Sequence, residues 1–216
     1  MDRIEILNRI LGAGITAVIR AQSSEHLMKI AEALKAGGVE SIEVTMTTPN
    51  ALQVISEVAA RFGDEILLGV GTCLDPETAR AAILAGAQFA VSPTLNLETI
   101  KMVHRYDKVI LPGCFTPTEI LTAWENGADL VKVFPADVVG PVYFKDVLAP
   151  LPQVRLVPTG GVDLTTAADF LKAGAAALCV GGAMMPKAAM AAGDWPAITA
   201  IAAQFVQIVK DTRAAM

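Results

Sequence analysis

Leu130-Val131-Lys132-Val133-Phe134-Pro135-Ala136 reads as a β-strand with a lysine set in apolar company. Strand alternation puts Leu130, Lys132 and Phe134 on one face and Val131 and Val133 on the other. An ammonium among such neighbours is expensive to keep charged. A lysine that sheds its proton near neutral pH is a nucleophile for ketones and aldehydes. The plainer reading is a lysine at a strand end, its stem covered and its head in water. Which reading holds depends on what the chain builds around this stretch.

Outward from it, one unit recurs: a short apolar strand, then a helix that stops at glycine. An opening helix over residues 2–13 carries Ile4, Leu7, Ile10 and Leu11 at helical spacing. Strands follow at Ile15–Arg20, Val39–Thr45, Ile66–Val70, Gln88–Val91, Lys108–Leu111, Leu130–Phe134, Val154–Val157 and Ala176–Val180. Helices lie between them, signalled by Ser23 or Ser24, Asp75-Pro76 and Thr116-Pro117 at their starts. Eight such units predict an α/β fold, a (β/α)8 TIM barrel with an N-terminal helix. The strands are short and mostly apolar, as covered parallel strands should be. A doubly wound open sheet usually carries a glycine-rich turn after its first strand. Arg20-Ala21-Gln22 offers none. No linker or composition shift divides residues 1–216, so one domain is expected.

Composition narrows the function. Hydrophobic residues make up 53%, which supplies a large core. The net charge is −5 with no run of Lys or Arg, which argues against nucleic acid and anionic membrane surfaces as partners. No apolar run is long enough to span a bilayer, and the first residues do not resemble a signal peptide. Cys73, Cys114 and Cys179 are odd in number and far apart, which reads as reduced thiols in a cytoplasmic protein. His26 and His104 are the only histidines and are expected on helix surfaces. A catalytic zinc site usually takes two or three histidines, so no metal site is expected.

In a barrel, function collects where the strands end. Arg20 ends the first strand and is a natural carboxylate clamp. The second offers Glu43, Thr45 and Thr47 on one face. Glu43 belongs on the inner face, where a buried carboxylate needs a partner or a raised pKa. Beside Lys132 it can move protons, or the two can simply fill the barrel as an ion pair. Gly69-Val70-Gly71-Thr72 leaves space for a ligand and ends in a hydroxyl. Ser92-Pro93-Thr94 and Pro112-Gly113-Cys114 end the fourth and fifth strands. Thr159-Gly160-Gly161 and Gly181-Gly182 end the last two, each read as amides before a helix, the arrangement that holds phosphate.

Taken together these motifs resemble one family over nearly the whole chain. It comprises the class I, pyruvate-dependent aldolases acting on 2-keto-3-deoxy-6-phosphogluconate and 4-hydroxy-2-oxoglutarate. The likeness runs through Ala17-Val18-Ile19-Arg20, Ile42-Glu43-Val44-Thr45, Gly69-Val70-Gly71-Thr72, Ser92-Pro93 and Leu111-Pro112-Gly113. It continues through Val131-Lys132-Val133-Phe134-Pro135-Ala136, Pro158-Thr159-Gly160-Gly161-Val162 and Gly181-Gly182. The resemblance implies that Lys132 forms a Schiff base with the keto acid and that Glu43 moves protons. Arg20 and Thr72 would hold the carboxylate, with Pro93 and Phe134 lining the pocket. Thr159, Gly160, Gly161, Gly181 and Gly182 would hold a distal phosphate. It implies no cofactor, a small 2-keto acid as substrate and a homotrimer. Two positions depart from the pattern. Thr47 stands where some members carry an arginine, and Ala183 where many carry a serine. The competing readings are a sugar-phosphate isomerase or synthase without a Schiff base, and a non-catalytic barrel that binds small acids.

Overall fold

The structure is a computed structural model that describes residues 1–20 and 23–216. The expectation at Ala21-Gln22 lies outside the described residues.

Helix α1 (Arg3–Ala13) starts at Asp2, whose carboxylate takes the Glu5 N–H while the Glu5 carboxylate takes the Asp2 N–H. This reciprocal cap satisfies amides that have no partner inside the helix. Gly14, at φ 67°, ends it. Strands and helices then alternate: β1 (Ile15–Ile19), α2 (Ser24–Ala36), β2 (Ser41–Thr45), α3 (Ala51–Phe62), β3 (Leu67–Gly71), α4 (Pro76–Leu84), β4 (Phe89–Val91) and α5 (Leu97–Arg105). Strand β5 runs over Val109–Leu111 and resumes at Gly113–Cys114, interrupted at Pro112. After it come α6 (Pro117–Glu125), β6 (Val131–Val133), α7 (Gly140–Leu148), β7 (Leu156–Pro158), α8 (Ala167–Lys172), β8 (Leu178–Val180), α9 (Lys187–Ala192) and α10 (Trp195–Ala214). Ser23 caps α2 by accepting the His26 N–H. Among the described residues no helix is long and apolar enough to cross a membrane.

Every strand pairing is parallel. The first half of β5 pairs with β4, in a sheet ordered β5-β4-β3-β2-β1-β8. Its second half pairs with β6, in a sheet ordered β5-β6-β7. Pro112 has no N–H for a ladder, but its carbonyl accepts the Lys132 N–H at 3.0 Å. A parallel bridge between Thr159 and Cys179 joins β7 to β8. The ring of eight strands is therefore closed, which is the expected (β/α)8 barrel.

Two apolar cores follow from strand alternation. Outward residues such as Ile42, Val44, Val131 and Val133 pack with the helices. Inward residues such as Leu67, Phe89, Val109, Leu130 and Val157 form a second cluster inside the barrel. Ile6 and Ile10 of α1 complete that inner cluster and are 0% and 1% exposed. Helix α1 therefore lies across one end of the barrel as a stopper. Each isoleucine contributes about 1.5–3 kcal/mol by leaving water.

Candidate active site

Lys132 is the middle residue of β6, in register with Gly113 of β5 and Val157 of β7. Its inward neighbours Leu130 and Val157 belong to the inner core, and Lys132 itself is buried. Phe134, two residues on, presents its ring 4.8 Å from the ammonium. The expected alternation along this stretch is the one observed.

Glu43 sits in β2 between Val18 of β1 and Gly69 of β3. It is 1% exposed. Burial pushes its pKa up, opposed by the charges of Lys132 and then Arg20. Its Oε2 has no hydrogen-bond partner among the described residues. Glu43 and Lys132 thus feel each other without a direct ion pair. The reading in which they fill the barrel as a bonded pair does not describe this structure. Cys179 locates the same neighbourhood independently. Burial pushes its thiol up to about 12, with Glu43 acting in the same direction and Lys132 opposing. A carboxylate and an amine that share a dry site, one oxygen free, can pass a proton through a molecule placed between them.

Around these two stands the rim. Arg20 follows β1, is exposed, and reaches Glu43 through its charge. Thr72 follows β3 at φ 60°, in the left-handed region where a β-branched residue is strained. Such strain is characteristic of functional loops. Pro93 follows β4 and Phe134 follows β6, and both are half-buried. The close approach of Pro93 requires Gly113 on the neighbouring strand, where a Cβ would run into the Pro93 backbone and stand 2.7 Å from the Ser92 carbonyl. Thr47 is exposed in the loop after β2, and its hydroxyl bonds that of buried Thr45 at 2.9 Å. Val18 is a rim residue that sequence reasoning missed. It is the one half-buried position in β1, and its carbonyl oxygen and Cβ lie 3.8 and 4.0 Å from where a Cβ on Gly181 would stand. Its signal is alternation with Thr16, but an apolar side chain there looks like ordinary core.

Thr159 is buried, and Gly160 and Gly161 come next at φ 93° and 68°. The Asp137 side chain packs beneath both glycines, and its Cβ is 2.5 Å from where a Cβ on Gly161 would lie. The amides of Gly160, Gly161, Gly182 and Ala183 have no acceptor among the described residues. One expectation is corrected here: these glycines do not open helices. Helix α8 begins at Ala167 and α9 at Lys187. The Asp163 carboxylate already takes the N–H groups of Thr165 and Thr166 ahead of α8. Turn amides of this kind can make concave anion sites without a helix.

The histidines are not plain surface residues. His104 Nε2 lies 3.1 Å from the buried carboxylate of Asp129, which also accepts the Ile110 N–H. His26 packs edge-on against Trp195. Both are away from the rim. Two surface clefts also lie elsewhere. One is lined by Lys29, Trp195 and Thr199, the other by Arg9, Lys210 and Arg213. Neither contains Lys132 or Glu43, so the chemistry rather than the hollow picks out the site.

Known proteins share this architecture. The family model described as "Aldolase: KDPG and KHG aldolase" matches residues 6–201. The 2-dehydro-3-deoxy-phosphogluconate aldolase of Treponema pallidum (strain Nichols) is 36% identical over 207 residues, 95% of this chain and 98% of that protein. The KHG/KDPG aldolase of Escherichia coli (strain K12) is 36% identical over 198 residues, 91% of this chain and 92% of that protein. Among solved structures, the KDPG aldolase from Legionella pneumophila superposes with a TM-score of 0.85 at 28% identity, over 91% of this chain and 96% of that one. That crystal holds pyruvate captured at low pH as a covalent carbinolamine intermediate.

Proposed function

This chain belongs to the KDPG and KHG aldolase family, and from that premise we propose that it is a class I aldolase whose nucleophile is Lys132. The reaction is reversible cleavage of a 2-keto-3-deoxy-6-phospho sugar acid to pyruvate and glyceraldehyde 3-phosphate, or of 4-hydroxy-2-oxoglutarate to pyruvate and glyoxylate. The observation that carries the assignment of residues is the pairing of buried Lys132 with buried Glu43, whose Oε2 is free.

The Lys132 amine adds to the C2 ketone. Glu43 supplies the proton that turns the carbinolamine hydroxyl into water, leaving an imine. The C4 hydroxyl then gives up its proton, the C3–C4 bond breaks, and its electron pair moves into the imine as an enamine. The aldehyde leaves, C3 is protonated, and water releases pyruvate from Lys132. Burial raises the pKa of Glu43 above the usual carboxylate range, and a carboxyl group so shifted holds a proton more readily when it acts as the acid.

Arg20 and Thr72 hold the keto-acid carboxylate, while Pro93 and Phe134 wall the pocket. Thr47 stands at its edge, paired to Thr45. Thr159 and the amides of Gly160, Gly161, Gly181 and Gly182 receive the distal group. Free turn amides support an anionic tail. Residues 1–216 act as one domain, in the cytoplasm. The homotrimer implied by the resemblance fits the exposed apolar side chains of Phe115, Val138 and Val142.

The test is borohydride trapping. The protein is incubated with pyruvate, reduced, digested and analysed by mass spectrometry. A pyruvate adduct on Lys132 is expected. A folded protein with no adduct in excess pyruvate removes the Schiff-base mechanism.

A further inference from the structure

Gly71 closes β3 on the inner face of the barrel, in register with Thr45. Its φ lies outside the left-handed region, so its backbone does not call for glycine. Space does. A Cβ at Gly71 would intrude on Glu43 Oε1 and stand 2.5 Å from Glu43 Cδ and 2.7 Å from Cγ. All three nearest atoms belong to that one side chain. Gly69, two residues earlier on the same face, makes the same kind of room for the ring of Phe89. Two positions without side chains on β3 therefore admit two large ones from its neighbours.

The strand cannot easily yield instead. The Gly71 carbonyl accepts the Met46 N–H at 2.8 Å, and Thr72 comes next in its strained conformation. An added methyl group would have to move Glu43. We propose that Gly71 is a positioning residue for the reaction: its missing side chain sets where the Glu43 carboxylate stands relative to a substrate on Lys132. This rests on the aldolase reading above.

Gly71→Ala, Glu43→Asp and the double variant are compared with the parent. The readouts are crystal structures, end-point borohydride trapping of pyruvate, and exchange of pyruvate methyl protons with deuterated water by NMR. Gly71→Ala is expected to keep trapping pyruvate while methyl-proton exchange falls roughly 10²-fold, with the Glu43 carboxylate displaced in the crystal. Glu43→Asp shortens the chain by one methylene. It is expected to slow exchange in the parent and to restore it roughly tenfold in the Gly71→Ala background, the coupling that residues in contact show. Exchange at the parent's rate, or Glu43 unmoved beside Ala, overturns the proposal. Should Gly71→Ala not fold, a folded double variant supports the proposal, and an unfolded one overturns it. A parent that neither traps nor exchanges pyruvate overturns the aldolase reading itself, while the crystal position of Glu43 still decides what Gly71 does.

Discussion

The Lys132 ammonium lies 4.8 Å from the centroid of the ring of Phe134, the residue that follows the end of β6. The negative face of an aromatic ring attracts a cation. It offers no proton acceptor of the strength of a carboxylate, so the amine is held in place without being tied up.

Lys132→Met should abolish turnover and borohydride trapping while leaving the fold intact. Methionine is unbranched and apolar and fills much of the same space. Replacing a buried charge by an apolar side chain is often neutral or stabilising. Circular dichroism and thermal melting, measured beside the assay, separate loss of chemistry from loss of fold. Residual turnover comparable with the parent would remove Lys132 from the mechanism.

Glu43→Gln keeps the shape and removes the titratable proton. Turnover should fall about 10²- to 10⁴-fold. Stability should respond in the opposite sense. Burial raises the folded-state pKa of Glu43 above its ordinary 4.5. The folded state therefore holds that proton more tightly than the unfolded state. The contribution is fully present below 4.5 and is lost as the pH rises through the raised value. Urea melts should show the Glu43→Gln variant gaining on the parent as the pH rises above 4.5. A difference that is flat with pH would contradict this.

Ala183→Ser places a hydroxyl next to the free amides of the distal site. A hydrogen bond to a charged group is worth about 1.5–3 kcal/mol, or roughly ten- to a hundredfold in affinity. The variant should lower KM for a phosphorylated keto acid and leave KM for pyruvate methyl exchange unchanged. Equal effects on both would place residue 183 away from the distal group.

Ile10→Ala opens a cavity between α1 and the inner core. It should cost about 2–5 kcal/mol of stability with kcat unchanged below the melting temperature, since the site lies at the opposite end. Denaturant melts and steady-state kinetics on one preparation check both halves.

The three thiols should be silent in the native protein. Burial pushes Cys73, Cys114 and Cys179 each up to about 12. Near neutral pH they are protonated, and the thiolate is the reactive form. A thiol reagent should find none of them before denaturant is added and all of them afterwards.

Lys132 and Glu43 are legible in the sequence because a charge inside an apolar strand breaks a strong rule. The barrel is legible because strand, helix and glycine recur in one order. The hidden features depend on contacts across the chain. The glycine pairs at 160–161 and 181–182 announce positive φ or open space, but they do not distinguish a turn from a helix start. The break of β5 at Pro112 shows only when its two halves are seen pairing with different neighbours. His104 reads as a surface residue because its partner Asp129 lies 25 positions away. Val18 reads as core because nothing local marks the rim.

Helix α1 plugs one end of the barrel with Ile6 and Ile10, and the inner apolar cluster fills the interior behind them, so the site opens at the other end. A well with one door imposes an order on traffic. In the proposed mechanism, in which the keto-acid carbon is bonded to Lys132 and the remainder of the substrate extends toward the glycine turns, the aldehyde half stands nearer the door. It must depart first, and pyruvate, still bonded to the floor, second. In the synthetic direction the same geometry demands pyruvate first and aldehyde second. A saturating aldehyde should then block pyruvate from entering, and the reaction should behave as a stack in which the last fragment in is the first fragment out.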